Sequence, residues 1–156
     1  MASLRSHAGW HLAAAMLAAV VLSGCTTDEG ESITALSDDP IVFVADTGFG
    51  YATGISGTIS HDHRTGCLLL QSPSRNGVVW PREVAPLVTA DGRRGVEHPE
   101  FGEIVEGDSV LLRGVAVSAD AAGNGDADNA RQVYEECGLE EPRSSVIRIA
   151  EVLDVD

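Results

Sequence analysis

The residues best suited to chemistry fall in a few small groups. His61-Asp62-His63 sets two imidazoles one residue apart, with His98 further along the chain. Neutral imidazoles so spaced can meet a Zn²⁺ or Cu²⁺ ion when the backbone turns, and on a regular strand the two would share a face. Two ligands do not complete a site, and a solvated polar turn accounts for the same residues. The segment that starts at Asn124 offers oxygen instead of nitrogen. Asn124, Asp126, Asp128 and, at the twelfth place, Glu135 reproduce the spacing of an EF-hand calcium loop. The pattern departs where Asn124 stands for Asp, where Asn129 stands for the turn glycine and where Arg131 replaces an aliphatic residue. No entering helix precedes it, so a solvated acidic loop over Asp120 to Asn129 is the expectation and calcium binding the alternative.

Signs of catalysis are absent from the sequence. There is no G-x-S-x-G, no H-E-x-x-H and no activated-cysteine context. The carboxylate pairs Glu135-Glu136 and Glu140-Glu141 stand in polar surroundings that give neither partner a reason to hold its proton, as acid catalysis requires. Trp80 is expected in the core or at a rim rather than as a platform for a ligand. The expectation is a non-enzymatic protein without a cofactor, and the alternative is a metal-binding protein built on His61 and His63 or on the acidic segment.

Cysteine accounts for the clearest signals. The N-terminus carries Arg5, no acidic residue before Asp28, and an apolar run from Leu12 to Leu22, which is the layout of a secretory signal. The run is about half the roughly 20 apolar residues that a membrane-spanning helix needs. It ends in Leu22-Ser23-Gly24-Cys25, which resembles the lipobox of bacterial lipoproteins. That resemblance implies attachment of diacylglyceryl to the Cys25 thiol, cleavage of residues 1–24, and anchoring on the extracytoplasmic face of the cell membrane by two or three acyl chains. Residues 25–40 begin Cys-Thr-Thr-Asp-Glu-Gly-Glu-Ser and read as a flexible acidic tether. Outside the cytoplasm the remaining pair, Cys67 and Cys137, is expected to be oxidised to a disulfide. Metal ligation by the pair is the rival, without a C-x-x-C spacing to support it.

Composition limits the partners. Residues 25–156 hold nine arginines, no lysine and all 24 acidic residues, a formal charge of −15. Such a surface repels phosphate backbones, so nucleic acid is not an expected partner. An unknown envelope protein or small ligand remains, beside the membrane itself.

Residues 41–156 must position these groups as one domain, and they read as short β-type runs between turn signals. Ile41 to Val44 is a lead-in strand. Tyr51 to Ser60 is a strand bent at Gly54 and Gly57, and Cys67 to Gln71 is a compact apolar strand. Ser74-Arg75-Asn76-Gly77 gives a hairpin signal ahead of Val78-Val79-Trp80, which Pro81 stops. Arg82 to Gly102 reads as a loop with short extended pieces. Val110 and Leu112 lead to Gly114, where two backbones approach closely; Ala130 to Cys137 suits one or two helical turns, and Ser145 to Val155 is the closing strand. Gly57, Gly66-Cys67-Leu68-Leu69-Leu70, Val78-Val79-Trp80-Pro81, Val105 to Val110 with Gly114, and Cys137 together resemble a set of small exported bacterial lipoproteins with an OB-like barrel. The resemblance implies an all-β fold, a small five-stranded closed or nearly closed barrel with one disulfide, and no particular reaction.

Overall fold

The computed structural model describes residues 32–46, 52–118, 125–140 and 142–156. The expected signal segment, Cys25 and Asn124 lie outside the described residues. The described chain is mostly β, in the order β1 (Thr34–Ala35), β2 (Phe43–Ala45), β3 (Thr53–His61), β4 (Leu68–Ser72), β5 (Ser74–Pro81), β6 (Ala85–Val88), β7 (Arg94–His98), β8 (Gly102–Val105), β9 (Ser109–Val117), α1 (Gly125–Cys137) and β10 (Val146–Val155). No helix among the described residues is long and apolar enough to cross a membrane.

Among the described residues ten strands replace the five expected. Five of them pair in a cycle: β5 with β10 in parallel, then β10 with β9, β9 with β3, β3 with β4 and β4 with β5, all antiparallel. The other five are short additions. β2 runs parallel to the end of β5 and carries β1 on its far side. β6, β7 and β8 form a separate antiparallel sheet, the first two within Arg82 to Gly102, the stretch expected to be a loop with short extended pieces. They escape a reading by hydrophobic pattern because each has only four or five residues and few apolar anchors, chiefly Val96 and Ile104.

Strict alternation divides the core into two layers. Leu68 and Leu70 of β4, Val78 and Trp80 of β5, and Ile147 and Ile149 of β10 enter one cluster, joined by Ile59, Val96, Ile104, Val110 and Leu112. Leu69 and Val79, which lie between them, and Val146, just before Ile147, face the second cluster, where Phe43, Cys67 and one side of α1 cover them. Because both faces are buried, these strands read as unbroken apolar runs rather than as alternating ones. Each fully buried aliphatic side chain contributes roughly 1.5–3 kcal/mol by leaving water.

The helix is longer than the one or two turns expected. Ala130, Val133, Tyr134 and Cys137 recur at i, i+3, i+4 and i+7 and are all buried, the spacing of a helix with one apolar stripe. Its end is a Schellman motif: Gly138 at φ 58° donates from its N–H to the Glu135 carbonyl at 3.4 Å, and Leu139 N–H donates to the Tyr134 carbonyl at 3.0 Å. The Cys67–Cys137 disulfide, with Cα atoms 5.6 Å apart, fastens this end of the helix beside β4. Gly77 on β5 admits the helix closely, since a Cβ there would stand 2.6 Å from Val133 Cγ1.

Two boundaries move. The hairpin between β4 and β5 turns at Pro73, with Ser72 opposite Ser74, so Asn76 and Gly77 lie inside β5 and not in the turn. Asn76 is buried and laces the hairpin instead: its amide donates to the carbonyls of Leu70, Ser72 and Ser74, and its Oδ1 accepts from Ser145 N–H. Within residues 25–40, expected as a tether, Ile33 is buried in the second cluster and β1 pairs with β2.

Candidate functional site

The turn from β3 to β4 is built around Asp62. Its Oδ1 accepts from Arg64 N–H at 2.9 Å, its carbonyl accepts from Thr65 and Gly66, and its N–H donates to the Cys67 carbonyl at 2.9 Å. Gly66 supplies the positive φ of 80° that closes the turn. Arg75 on β5 pairs with the same carboxylate. The Arg64 N–H and then the Arg75 guanidinium hold the Asp62 carboxyl below the usual carboxylate range. A depressed folded value means that this stabilisation is complete above the unfolded carboxylate range, near pH 4, and is lost as the pH falls through the folded value. Asp62→Asn should therefore be less stable than wild type at pH 7, and the gap between the two urea midpoints should close as the solution is acidified toward pH 2 to 3.

Three further segments converge on His61, the last residue of β3. The turn Glu106-Gly107-Asp108 between β8 and β9 is bound to β3 by Gly107 N–H to the Ile59 carbonyl and Ile59 N–H to the Asp108 carbonyl, both at 2.9 Å. Asp108 Oδ2 braces that turn by accepting from Val105 N–H at 2.8 Å. On another side the segment before β2 crosses the Asp62 turn, where Ile41 N–H donates to the Gly66 carbonyl at 2.7 Å, and it delivers Asp39. Arg94 of β7 grips that aspartate with two nitrogens, Nε at 3.3 Å and Nη2 at 3.0 Å, and anchors itself on the Gly92 carbonyl at 2.7 Å. The Arg94 guanidinium lowers the Asp39 pKa, and Asp39 raises that of Arg94.

His61 is thereby enclosed, with 3% of its side chain exposed. Its Nε2 faces Asp39 Oδ1 at 3.1 Å, within ion-pair distance but off the line of a regular hydrogen bond. Its Nδ1 lies 3.1 Å from His63 Nδ1, the rings standing edge to face with centroids 4.7 Å apart. Ligand atoms of His61, His63 and Glu106 all lie within 4.8 Å of one another. His63 is exposed and Glu106 half-buried, so the group opens to solvent on one side. Two imidazole nitrogens and a carboxylate can coordinate a cation, or the imidazoles can share one proton between their Nδ1 atoms.

Other sequence candidates do not join this group. His98 is buried at the end of β7, stacked on Phe101 at 4.4 Å, and its Nδ1 accepts from Glu100 N–H at 3.0 Å. Asp126, Asp128 and Glu135 fall within α1, which corrects the expectation of a solvated loop reaching Asn129. A helix turns about 100° per residue, so positions 126 and 128 diverge, and the loop that an EF-hand spacing needs to wrap a calcium ion is not formed over 125–135. Cys67 and Cys137 are joined as expected. Trp80 belongs to the first core cluster.

Glu106 and Asp39 escape the sequence reading. Glu106-Gly107-Asp108 is legible only as a turn, and nothing local ties it or Asp39 to the histidines. Comparisons of the chain with known protein families, with curated proteins and with solved structures find no match.

Proposed function

We propose that this chain is an exported, lipid-anchored, non-enzymatic binding domain on an OB-like barrel, with its binding centre where His61, His63 and Glu106 converge. The convergence carries the reading: three side chains from two separate turns bring ligand atoms within 4.8 Å at a solvent-open edge. Supporting the barrel is the cyclic pairing of β3, β4, β5, β10 and β9, since OB-folds are five-stranded, partly open barrels that bind at their faces and loops. In this reading β1, β2 and the β6–β8 sheet are embellishments on that core.

Export and anchoring rest on Leu22-Ser23-Gly24-Cys25 and draw support from the buried Cys67–Cys137 bridge, since such bonds persist in oxidising compartments. Binding rather than catalysis is favoured by the electrostatics. The aspartates with displaced pKa values, Asp39, Asp62 and Asp91, are all pulled down by arginines and hydrogen bonds, which keeps them ionised, the reverse of what an acid catalyst needs. Partners of high negative charge, nucleic acid first among them, are disfavoured by the −15 surface.

The anchoring is tested by Cys25→Ser. Wild-type chain made in a bacterium should sediment with membranes and take up labelled fatty acid, whereas the variant should do neither. Equal solubility of the two, without label, would overturn the assignment.

A further inference from the structure

We infer that His61 Nδ1, His63 Nδ1 and the Glu106 carboxylate bind one divalent transition-metal ion of the zinc, cobalt, nickel and copper group, with Asp39 positioning His61. The inference rests on the binding centre proposed above and names its ligand. Imidazole nitrogen bonds Zn²⁺ at about 2.0–2.1 Å, so two such nitrogens on a tetrahedral ion stand about 3.3 Å apart. The observed Nδ1 to Nδ1 separation of 3.1 Å differs from that by a few tenths of an ångström. Glu106 supplies the third donor from a turn that backbone hydrogen bonds fix to β3.

Asp39 decides which imidazole nitrogen is free. A carboxylate 3.1 Å from His61 Nε2 favours the proton on that nitrogen, which leaves Nδ1 with its lone pair toward His63. Histidine ligands of metals almost always give their second N–H to such an outer carboxylate. Arg94 holds Asp39 in place through both carboxylate oxygens. Of the charged groups around the centre, Asp39 is paired with Arg94, Asp62 with Arg75 and Asp108 with Arg93, which leaves the Glu106 carboxylate to meet a divalent cation.

Donor chemistry selects the ion. Ca²⁺ takes six to eight oxygens and Mg²⁺ prefers oxygen in an octahedron, whereas two of the three donors here are nitrogen. Three protein ligands leave a coordination position for water or an outside donor. With His63 exposed and Glu106 half-buried, the ion is exchangeable and is not a structural staple.

The test uses the full chain without an affinity tag, stripped with a chelator and titrated with Zn²⁺ against a chromophoric competitor. Co²⁺ serves as a spectroscopic probe. Expected are saturable binding of one ion per chain, a visible Co²⁺ spectrum of low coordination number, and no response to millimolar Ca²⁺ or Mg²⁺. His63→Ala and Glu106→Gln, both at accessible positions, should each abolish or greatly weaken binding while leaving the melting curve of the metal-free chain in place. Asp39→Asn should retain binding at about 10- to 100-fold lower affinity, with Asp39→Glu recovering part of the loss. Failure of all four transition ions to bind at micromolar concentration would overturn the inference, as would binding that survives both His63→Ala and Glu106→Gln. Neither result touches membrane partitioning, which Cys25→Ser reports independently of any metal.

Discussion

Removing the disulfide should lower the stability of the folded domain by about 4 kcal/mol. The bridge joins residues 70 apart, and closing a loop of that length in the unfolded chain removes conformational entropy worth about 4 kcal/mol at 25 °C. Its position makes the loss global. Cys67 immediately precedes β4 of the strand cycle, while Cys137 ends α1, so the bond spans the second core layer that contains Leu69, Val79, Val133 and Val146. Both cysteines are fully buried, and the double variant Cys67→Ala/Cys137→Ala keeps that environment apolar, which isolates the cross-link from the cost of burying a hydroxyl. In urea denaturation the variant should lose a large part of a total that is only about 5–15 kcal/mol for an ordinary domain. Dithiothreitol should lower the wild-type midpoint toward that of the variant and leave the variant unchanged. A wild-type midpoint insensitive to reduction would contradict the account.

Trp80→Ala should cost about 3–5 kcal/mol, the range for truncating a large buried aromatic. Trp80 is 1% exposed and heads the fully buried side chains by volume. It lies on β5 opposite Val44 of β2, in the cluster that also holds Leu70, Val78, Leu112 and Ile149. Most of its neighbours in that cluster stand on paired strands whose backbones are held in place, so the vacated space refills only in part and a cavity remains. Trp80→Phe separates size from polarity. The indole N–H finds no acceptor among the described residues, so phenylalanine gives up volume but also removes a buried donor. Its loss should be well below that of alanine. Equal destabilisation by the two substitutions would show that the indole N–H, not the packed volume, is what the site requires.

Much of the strand framework was legible because its apolar runs are strong. Leu68-Leu69-Leu70, Val78-Val79-Trp80 and Val146-Ile147 are buried on both faces, and a strand between two layers leaves an unbroken hydrophobic stretch in the sequence. Gly114 was legible for a similar reason: a Cβ there would stand 2.6 Å from the Arg148 carbonyl, the close backbone approach that an isolated strand glycine signals. Where the local signal serves two purposes, the reading went astray. Asn76-Gly77 has the composition of a tight turn, yet Asn76 is there for its five side-chain hydrogen bonds and Gly77 for the space it leaves α1. The β6–β8 sheet showed in the sequence only as short extended pieces, because strands of four or five residues derive their order from pairing, which no single segment displays.

The candidate site divides along the same line. His61 and His63 are neighbours in sequence and stand out by type, whereas Glu106 and Asp39 reach them only through long-range backbone bonds and the Arg94 clamp. Spacing alone favoured the acidic segment equally, and the structure separates the two: the histidine turn gathers a third donor, while the segment from Gly125 onward winds into a helix.

Export and lipid anchoring are read together in the intact mass of the chain recovered from membranes of a bacterium that makes it. The expected species begins at Cys25, lacks residues 1–24, is heavier by a diacylglyceryl group on that cysteine, and gains two hydrogens on reduction as the Cys67–Cys137 bond opens. Recovery of the unmodified 156-residue chain from the soluble fraction, with no mass gained on reduction, would contradict both.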